Sequence, residues 1–331
     1  MSVVTVALVV ALATVLAAEF VNGWTDAPNV IATVVSTGVL SPRLAVVMAV
    51  VFNMLGAMAG TAVAATVGKG IVEPSAMTLP AITAAMLSII GWGAIAARLG
   101  IPVSKSHALL AGLAGAGLAG GGWAALQWTG WQKVGVGLVC SLGLGFGGAF
   151  LIGRLVVALA GHARPMPAKR TFDRLQLLSA AFMAFNHGLN DGQKFMGVFA
   201  LTMLAGGATQ VFEIPLWVML VCALTMGIGT SFGGWRIIET VGSKLARITS
   251  WQGFAAQTSA AFTIFGASHF GIPLSTTHTI TTAIVGASAS VRTYDVRWGV
   301  LRRIVLAWCV TFPFCALIAF LAALIANRLL A

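Results

Sequence analysis

The sequence contains very little charge. Only 8% of its 331 residues are Asp, Glu, Lys or Arg, whereas 59% are hydrophobic and the mean hydropathy is +0.97. Soluble domains carry about a quarter charged residues, so a soluble catalytic or nucleic-acid-binding domain is excluded. Since a bilayer span needs roughly 20 apolar residues, the chain has room for about ten spans, and we expect a membrane protein.

Cysteine and acidic residues are also scarce. The four cysteines lie singly in apolar stretches without CxxC spacing, so neither a disulfide framework nor a zinc site is indicated. Only 8 acidic residues stand against 19 basic ones, giving a net charge of +11. In a chain with many spans such an excess is typical of cytoplasmic loops.

Apolar runs separated by charged or Gly/Pro-rich breaks predict ten membrane segments. Five precede a polar linker at residues 161–173 and five follow it. We therefore predict an N-terminal repeat (1–160), a cytoplasmic linker (161–173) and a C-terminal repeat (174–331). The segments are Ser2–Val39, Leu44–Val67, Leu79–Ala97, Pro102–Gly120, Val134–Ala160, Leu175–Leu204, Ile214–Gly234, Phe254–Phe270, Pro273–Ser290 and Ile304–Ile325.

The distribution of basic residues predicts the orientation of these segments. If each segment crosses once, fifteen basic residues lie on the same side as the linker, three (Lys69, Lys133 and Arg328) lie opposite, and Lys194 lies within a segment. The positive-inside rule then places the linker in the cytoplasm and both termini outside the cell membrane. Pro102–Gly120 and Pro273–Ser290 are short and rich in Gly, Ser and Thr, so re-entrant hairpins are an open alternative for these two.

Two motifs occur twice in the same order. Asn22-Gly-Trp-Thr-Asp26 matches His187-Gly-Leu-Asn-Asp191, and Gly100-Ile-Pro-Val-Ser-Lys-Ser-His107 matches Gly271-Ile-Pro-Leu-Ser-Thr-Thr-His278. The offsets, about 165 and 171 residues, indicate a duplicated unit. A unit with an odd number of crossings repeats in inverted orientation, which is an architecture of secondary transporters. The sequence thus predicts an all-α membrane protein with an inverted repeat of two halves, about five segments each and 10–12 in all.

The first motif places carboxylates inside apolar segments. A charged side chain near the centre of a spanning helix costs roughly 2.5–3.5 kcal/mol on insertion scales, so such residues indicate function. Neighbouring Gly and Pro residues predict that the helix breaks at Asp26 and again around Asp191. Carboxylate and amide oxygens at a break are suited to cations, and we predict cation binding by Asn22, Asp26, Asn29, Asn190 and Asp191. The plainer alternative is a packed polar network between helices.

The second motif places hydroxyl groups directly after a Gly-x-Pro turn. Free amides at a following helix start, together with hydroxyls, suit an oxyanion. We predict substrate binding by these groups and the duplicated carboxylates: Asp26, Ser104, Lys105, Ser106, Asp191, Ser275, Thr276 and Thr277. Ordinary hydrogen bonding between helices is the alternative. For His107 and His278 we predict a structural role, in which each holds the backbone of its turn by a hydrogen bond.

These motifs resemble those of the inorganic phosphate transporter (PiT) family. EFVNGWTDAPNVIATVVSTGVLSP (Glu19–Pro42) and NHGLNDGQKFMG (Asn186–Gly197) resemble its two signatures, and GIPVSKSH and GIPLSTTH resemble its paired Gly-x-Pro-x-Ser-x-x-His sequences. The resemblance implies cation-coupled symport of phosphate, driven by sodium or protons, by a protein that is not an enzyme and has no cofactor or metal beyond possible Na⁺. Lys105 departs from the family pattern, in which hydroxyl or acidic residues are more usual. Sodium coupling is therefore the family property that the resemblance supports least.

Three alternatives stay open at this stage. A sulfate permease of the same family is the first. The second is an intramembrane lipid-phosphate hydrolase, with a serine of the second motif as nucleophile and its histidine as base, although two equivalent Ser–His pairs give no reason to prefer either. The third is a passive anion channel. The expected partners are phosphate or sulfate, a coupling cation, the lipid bilayer and a second copy of the chain as a homodimer, with no nucleic acid.

Overall fold

The computed structural model describes residues 3–161 and 165–330. Within these ranges the chain is helical, without named strands. The first half contains α1 (Val3–Ser36), α2 (Pro42–Ala57), α3 (Ala62–Lys69), α4 (Leu79–Leu99), α5 (Lys105–Gly121) and α6 (Trp128–Ala160). The second contains α7 (Pro165–His187), α8 (Gln193–Ala205), α9 (Leu216–Phe232), α10 (Trp235–Glu239), α11 (Ser250–His269), α12 (Thr276–Ala289) and α13 (Trp298–Leu330).

The element order repeats. Helix α1 corresponds to α7 and α8, which are joined by a π-helical turn at Gly188–Gly192. The pair α2–α3 is bent by 73°, and its counterpart, α9 with α10 and the following π turn, is bent by 66°. Helices α4, α5 and α6 correspond to α11, α12 and α13, and isolated antiparallel bridges lie at equivalent places, Val72 with Leu126 and Ala246 with Val296. The predicted all-α fold of two repeated halves is confirmed.

Among the described residues, five helices are long and apolar enough to cross a membrane, and up to seven spans qualify if each bent pair counts as one. Helix α5 has 17 residues and α12 has 14. At 1.5 Å per residue their lengths are about 25 Å and 21 Å, against a hydrocarbon core of roughly 30 Å, although α5 reaches 21 residues and is one of the five when the turn up to Ala125 is included. Whether these two segments cross or re-enter therefore stays a prediction.

The two halves are interlocked by their last helices. Helix α5 packs along α13, and α12 packs along α6, so each contact joins one half to the other. Equivalent glycines make these contacts possible: a Cβ atom on Gly115 would lie 2.0 Å from the Ala316 carbonyl oxygen, and one on Gly286 would lie 2.2 Å from that of Phe146. Both apolar cores draw on residues of both halves as a result.

Most of the predicted linker is helical. Helix α6 ends at Ala160 and α7 begins at Pro165, so residues 165–173 form the first turns of α7. The side chain of Lys169 donates to Asp173 at 2.7 Å on this exposed stretch. Residues 162–164 of the linker lie outside the described residues.

Candidate functional site

The two Gly-x-Pro motifs build equivalent turns. Gly100 and Gly271 adopt the left-handed conformation, with φ of 68° and 63°; Gly100 is the C-cap of α4, and Gly271 follows the C-cap of α11. Glycine is favoured there because it lacks a Cβ atom. The chain then runs without helix past the proline to the next N-cap, so the hydroxyl-bearing residues meet at the starts of α5 and α12.

The serines Ser104 and Ser275 are N-cap residues. Each hydroxyl oxygen accepts a hydrogen bond from the backbone N–H of the motif histidine, at 3.1 Å for His107 and 3.2 Å for His278. An N-cap hydroxyl used in this way still has its own proton to donate. The contact involves the backbone amide and not the imidazole, so neither Ser–His pair is arranged as a nucleophile and its base.

The motif histidines contact each other. The rings of His107 and His278 lie 4.6 Å apart in an edge-to-face arrangement, and the His278 ring lies 3.9 Å from that of Trp308. Neither ring nitrogen of His278 has a hydrogen-bond partner among the described residues. The prediction that His278 holds the turn by a side-chain hydrogen bond is therefore wrong. Its turn is held instead by the Ser275 cap and by ring packing.

The helix does not break at Asp26. Helix α1 continues from Val3 to Ser36 with Pro28 inside it. Proline removes one amide donor, but here it does not end the helix. The neighbouring Gly23 serves close packing, since a Cβ atom there would lie 2.3 Å from the Met226 carbonyl oxygen of α9. Around Asp191 the predicted break is a π turn, which keeps α7 and α8 connected.

Asp191 lies at the centre of the site. Its Oδ1 forms a short ion pair with Lys194 one turn further on, and its Oδ2 accepts from the Thr276 hydroxyl at 2.9 Å. The same Oδ2 lies 3.3 Å from Nε2 of His187. All four side chains are buried. Within the second half, Asp191 of the first motif thus contacts Thr276 of the second motif.

Asp26 reaches the same hydroxyl-bearing turn from α1. The Thr277 hydroxyl donates to Asp26 Oδ2 at 3.4 Å. The Lys105 Nζ atom lies 3.9 Å from Asp26 Oδ1, and this buried ammonium group has no hydrogen-bond partner among the residues of 3–161 and 165–330. An ammonium group has three N–H donors, so Lys105 retains donors for an anion.

Asn29 joins the two carboxylates through the threonines. Its amide donates to Thr277 Oγ1 at 3.0 Å and lies 3.4 Å from Thr276 Oγ1. The sequence of contacts from Asp191 through Thr276, Asn29 and Thr277 to Asp26 is therefore continuous. Six predicted residues lie in this one buried cluster: Asp26, Asn29, Lys105, Asp191, Thr276 and Thr277.

Other predicted residues lie at its edge. Ser106 accepts from Lys194 Nζ at 2.5 Å and donates to the Leu274 carbonyl oxygen at 3.0 Å. The Asn22 amide, which lies one turn before Asp26, instead donates to Glu19 at 3.2 Å. The Asn190 amide donates to Ser268 at 2.8 Å, in α11, so this side chain turns away from Thr276 and Thr277.

Sequence reasoning missed Lys194, His187 and Asn53 as parts of the site. Lys194 gave a signal, because it is a charge inside an apolar segment. His187 begins the second copy of the first motif, where the first copy has Asn22. Asn53 gave none, because it lies in α2, outside both motifs, and contacts His187 at 3.2 Å only in the folded chain.

The centre of the site has donors for a cation. Asp26, His187 and Asp191 each offer a ligand atom, and these atoms lie within 4.8 Å of one another. His187 Nε2 has no hydrogen-bond partner among the described residues, so it is free to ligate. Carboxylates and hydroxyls for a cation thus adjoin ammonium and hydroxyl donors for an oxyanion. Such a site, buried between repeated and interlocked helical halves, defines a secondary transporter of the membrane.

The chain belongs to the phosphate transporter family, whose profile matches residues 22–168 and 160–319. It is 43% identical, over 303 residues and 91% of both chains, to a probable low-affinity inorganic phosphate transporter of Rhizobium meliloti (strain 1021). It is 37% identical to a protein of the same description from Bacillus subtilis (strain 168), over 317 residues and 95% of both chains. The predictions of this family and of a protein that is not an enzyme are confirmed.

A solved structure shares the fold. It is described as the sodium-dependent phosphate transporter, and it superposes with a TM-score of 0.90 over 98% of this chain and 99% of that chain. The two sequences are 24% identical. The fold of this chain is therefore that of the solved structure over nearly its whole length.

Proposed function

We propose that this protein is a secondary active transporter that carries inorganic phosphate across the cell membrane together with sodium or protons. The continuous contacts between Asp26 and Asp191 carry the proposal, because they bring both anion donors and cation ligands into one buried cluster. The names of the relatives and of the solved structure support phosphate as the substrate.

The anion half of the site consists of Lys105 and the hydroxyls. The buried Lys105 ammonium has donors to spare, and the Ser104 and Ser275 hydroxyls retain protons beside the helix starts of α5 and α12. Charge-assisted hydrogen bonds of this kind suit a phosphate oxygen. Ser106, Thr276 and Thr277 complete the proposed substrate ligands.

The cation half consists of the first-motif residues. Asp26, Asn29 and Asp191 lie in the cluster, and the buried side-chain oxygens of Asn22 and Asn190 have no hydrogen-bond partner among the described residues. These oxygens are of the type that hard cations prefer. We propose that a coupling cation binds next to the phosphate and offsets its charge.

The proposed placement in the membrane follows the charge pattern. We propose that the repeats 1–160 and 174–331 are joined by a cytoplasmic linker at 161–173 and that both termini are outside. A homodimer is a further prediction, which light scattering of the purified protein in detergent would test.

Uptake of radiolabelled phosphate into proteoliposomes tests the function. Phosphate should accumulate only when a sodium or proton gradient is imposed, and dissipating that gradient should stop accumulation. Sulfate is the second candidate because the Lys105 ammonium also suits a fully deprotonated oxyanion. Phosphate flux that depends on neither the sodium gradient nor the proton gradient would support a passive channel and overturn the proposal.

A further inference from the structure

Asn29 and Lys194 occupy equivalent places in the two repeats. Asn29 is the third residue after Asp26, and Lys194 is the third after Asp191. Both side chains are buried. Asn29 donates to Thr277 at the start of α12, and Lys194 donates to the Leu274 carbonyl oxygen in the turn before α12. The duplicated site therefore has an amide at one position and an ammonium group at the other.

The Lys194 ammonium group is surrounded by three oxygens. It donates to Asp191 Oδ1, to Ser106 Oγ at 2.5 Å and to the Leu274 carbonyl oxygen at 2.7 Å. The group has three N–H donors, so each donor has one acceptor. Lys194 thereby links α8 to the start of α5 and to the turn before α12.

These three oxygens are the ligand types of a hard-cation site. A carboxylate, a hydroxyl and a carbonyl from a non-helical stretch are donors that Ca²⁺ and Na⁺ take in proteins, and in transporters such carbonyls lie where the repeats meet. Three converging oxygens repel one another unless hydrogen-bond donors or a positive charge lie between them, and a positive charge is favoured here because one of the three is a carboxylate. Here the charge belongs to the protein itself.

The other half lacks such an ammonium group. Asn29 donates to Thr277, the counterpart of Ser106, and the nearest lysine, Lys105, lies 3.9 Å from Asp26 without a hydrogen bond to it. The carboxylate of Asp26 has only the Thr277 hydroxyl as a hydrogen-bond donor among the described residues. The two halves therefore differ: the Lys194 ammonium group occupies the position beside Asp191, whereas the position beside Asp26 is left for a mobile cation.

We propose that the Lys194 ammonium group is a tethered substitute for an alkali cation, so that the Asp191 position binds no sodium ion. This inference rests on the proposed transport function, in which a coupling cation binds beside the anion. It restricts any mobile cation to the Asp26 side of the site, and it narrows the proposed cation ligands, because Asp191 then binds the Lys194 ammonium group and not a mobile ion. A lysine that only ties helices together would leave no cation site behind when it is replaced.

Counting bound sodium tests this directly. Binding of ²²Na⁺ to the purified full-length protein in detergent, without phosphate, is compared among wild type, Lys194→Asn, Lys194→Met and the double variant Asp191→Asn/Lys194→Asn. Lys194→Asn copies the Asn29 position and should bind one more sodium ion per protein than wild type. Lys194→Met keeps most of the bulk of the lysine side chain in this space without its charge, and the double variant lacks the Asp191 carboxylate, so both should match wild type.

The proposal is overturned if Lys194→Asn binds no additional ion or if the double variant retains it. If Lys194→Asn does not fold, the comparison of wild type with Ser106→Ala decides. Equal sodium counts support the proposal, and loss of one ion in Ser106→Ala shows sodium at this position and overturns it. Phosphate uptake is measured separately, so failure of the transport function would show as absent uptake with the sodium counts unaffected.

Discussion

Nε2 of His187 lies 3.3 Å from Oδ2 of Asp191, and both side chains are buried. On the other side of the ring, Nδ1 lies 3.2 Å from Asn53 Oδ1. The Asn53 amide nitrogen is assigned towards Thr230, at 3.4 Å, so its oxygen faces the histidine and the proton of a neutral ring belongs on Nδ1. Nε2 then presents a lone pair to the carboxylate. A proton between them would make this contact favourable, in agreement with a coupling role for the pair.

Asn53 should therefore be a positioning residue for His187. We expect Asn53→Ala to reduce phosphate uptake on the order of tenfold, the scale seen when the partner that orients a ligating histidine is removed. The proton dependence of uptake should change with it, which loss of packing alone would not cause. Thr230→Val is the matched control, since it removes only the outer partner of Asn53 and should have a smaller effect. Normal uptake and normal proton dependence in Asn53→Ala would contradict this role.

The two carboxylates should differ in their contribution to stability. We expect both Asp26→Asn and Asp191→Asn to abolish uptake, because each removes negative charge from the site. Asp191 forms an ion pair with Lys194 and accepts from Thr276, whereas Asp26 has a longer contact with Thr277 and none shorter than 3.9 Å with a lysine. Breaking a buried ion pair costs about 3–5 kcal/mol, so Asp191→Asn should unfold at a lower temperature than Asp26→Asn.

Uptake and thermal unfolding in detergent measure these two effects separately. An Asp variant that retains near-normal uptake at unchanged expression would have only a structural carboxylate at that position. Equal unfolding temperatures for the two variants would show that the Asp191–Lys194 pair adds no net stability.

Lys105 should determine the affinity for the anion. Its ammonium group is buried without an acceptor, so a phosphate oxygen would be its hydrogen-bond partner. A hydrogen bond to a charged group contributes about 1.5–3 kcal/mol, or roughly ten- to a hundredfold in affinity. We expect Lys105→Met to raise the KM for phosphate by that factor. Lys169→Met, at an exposed lysine paired with Asp173, should leave KM unchanged, and an unchanged KM in Lys105→Met would remove Lys105 from the substrate site.

The repeats were predictable from the sequence because each repeated motif is a short continuous segment of the chain. The Gly-x-Pro turns, the caps and the positions of Asp26 and Asp191 all follow from residues close together in the chain. The packing of α5 on α13 and of α6 on α12 was not predictable, since it depends on contacts between halves. The predicted break at Asp26 is wrong because its flanking glycine serves tight packing against α9. The contacts of Asn53 with His187 and of Lys194 with Ser106 and Leu274 likewise appear only when distant segments meet.

The linker provides a test of orientation. We expect residues 161–173 to be cytoplasmic, because most basic residues cluster on that side. Met166 is 64% exposed at the start of α7. Its replacement by cysteine, in a variant without the four native cysteines, should react with an impermeant thiol reagent only after the cells are opened. A cysteine placed at Trp123, which is 81% exposed between the fourth and fifth segments on the side predicted to be outside, should react in intact cells and is the control. Labelling of position 166 in intact cells would overturn the five-plus-five topology.

The choice between phosphate and sulfate depends on whether the anion carries a proton. Near neutral pH phosphate keeps at least one O–H group, whereas sulfate has none. A carboxylate beside the anion accepts a hydrogen bond from phosphate but repels sulfate unless a donor lies between them. Asp26 lies in the same cluster as the threonine hydroxyls, and its distance of 3.9 Å from Lys105 Nζ leaves that ammonium outside direct hydrogen bonding with it.

We therefore expect sulfate in tenfold excess to reduce phosphate uptake only slightly in proteoliposomes. Arsenate, which also keeps an O–H group at this pH, should compete strongly and serves as the control for access to the site. If sulfate competes on equal terms, or is taken up while phosphate is not, the phosphate assignment is wrong. Lys105 would then be the donor that screens sulfate from Asp26, and Lys105→Met should abolish sulfate uptake.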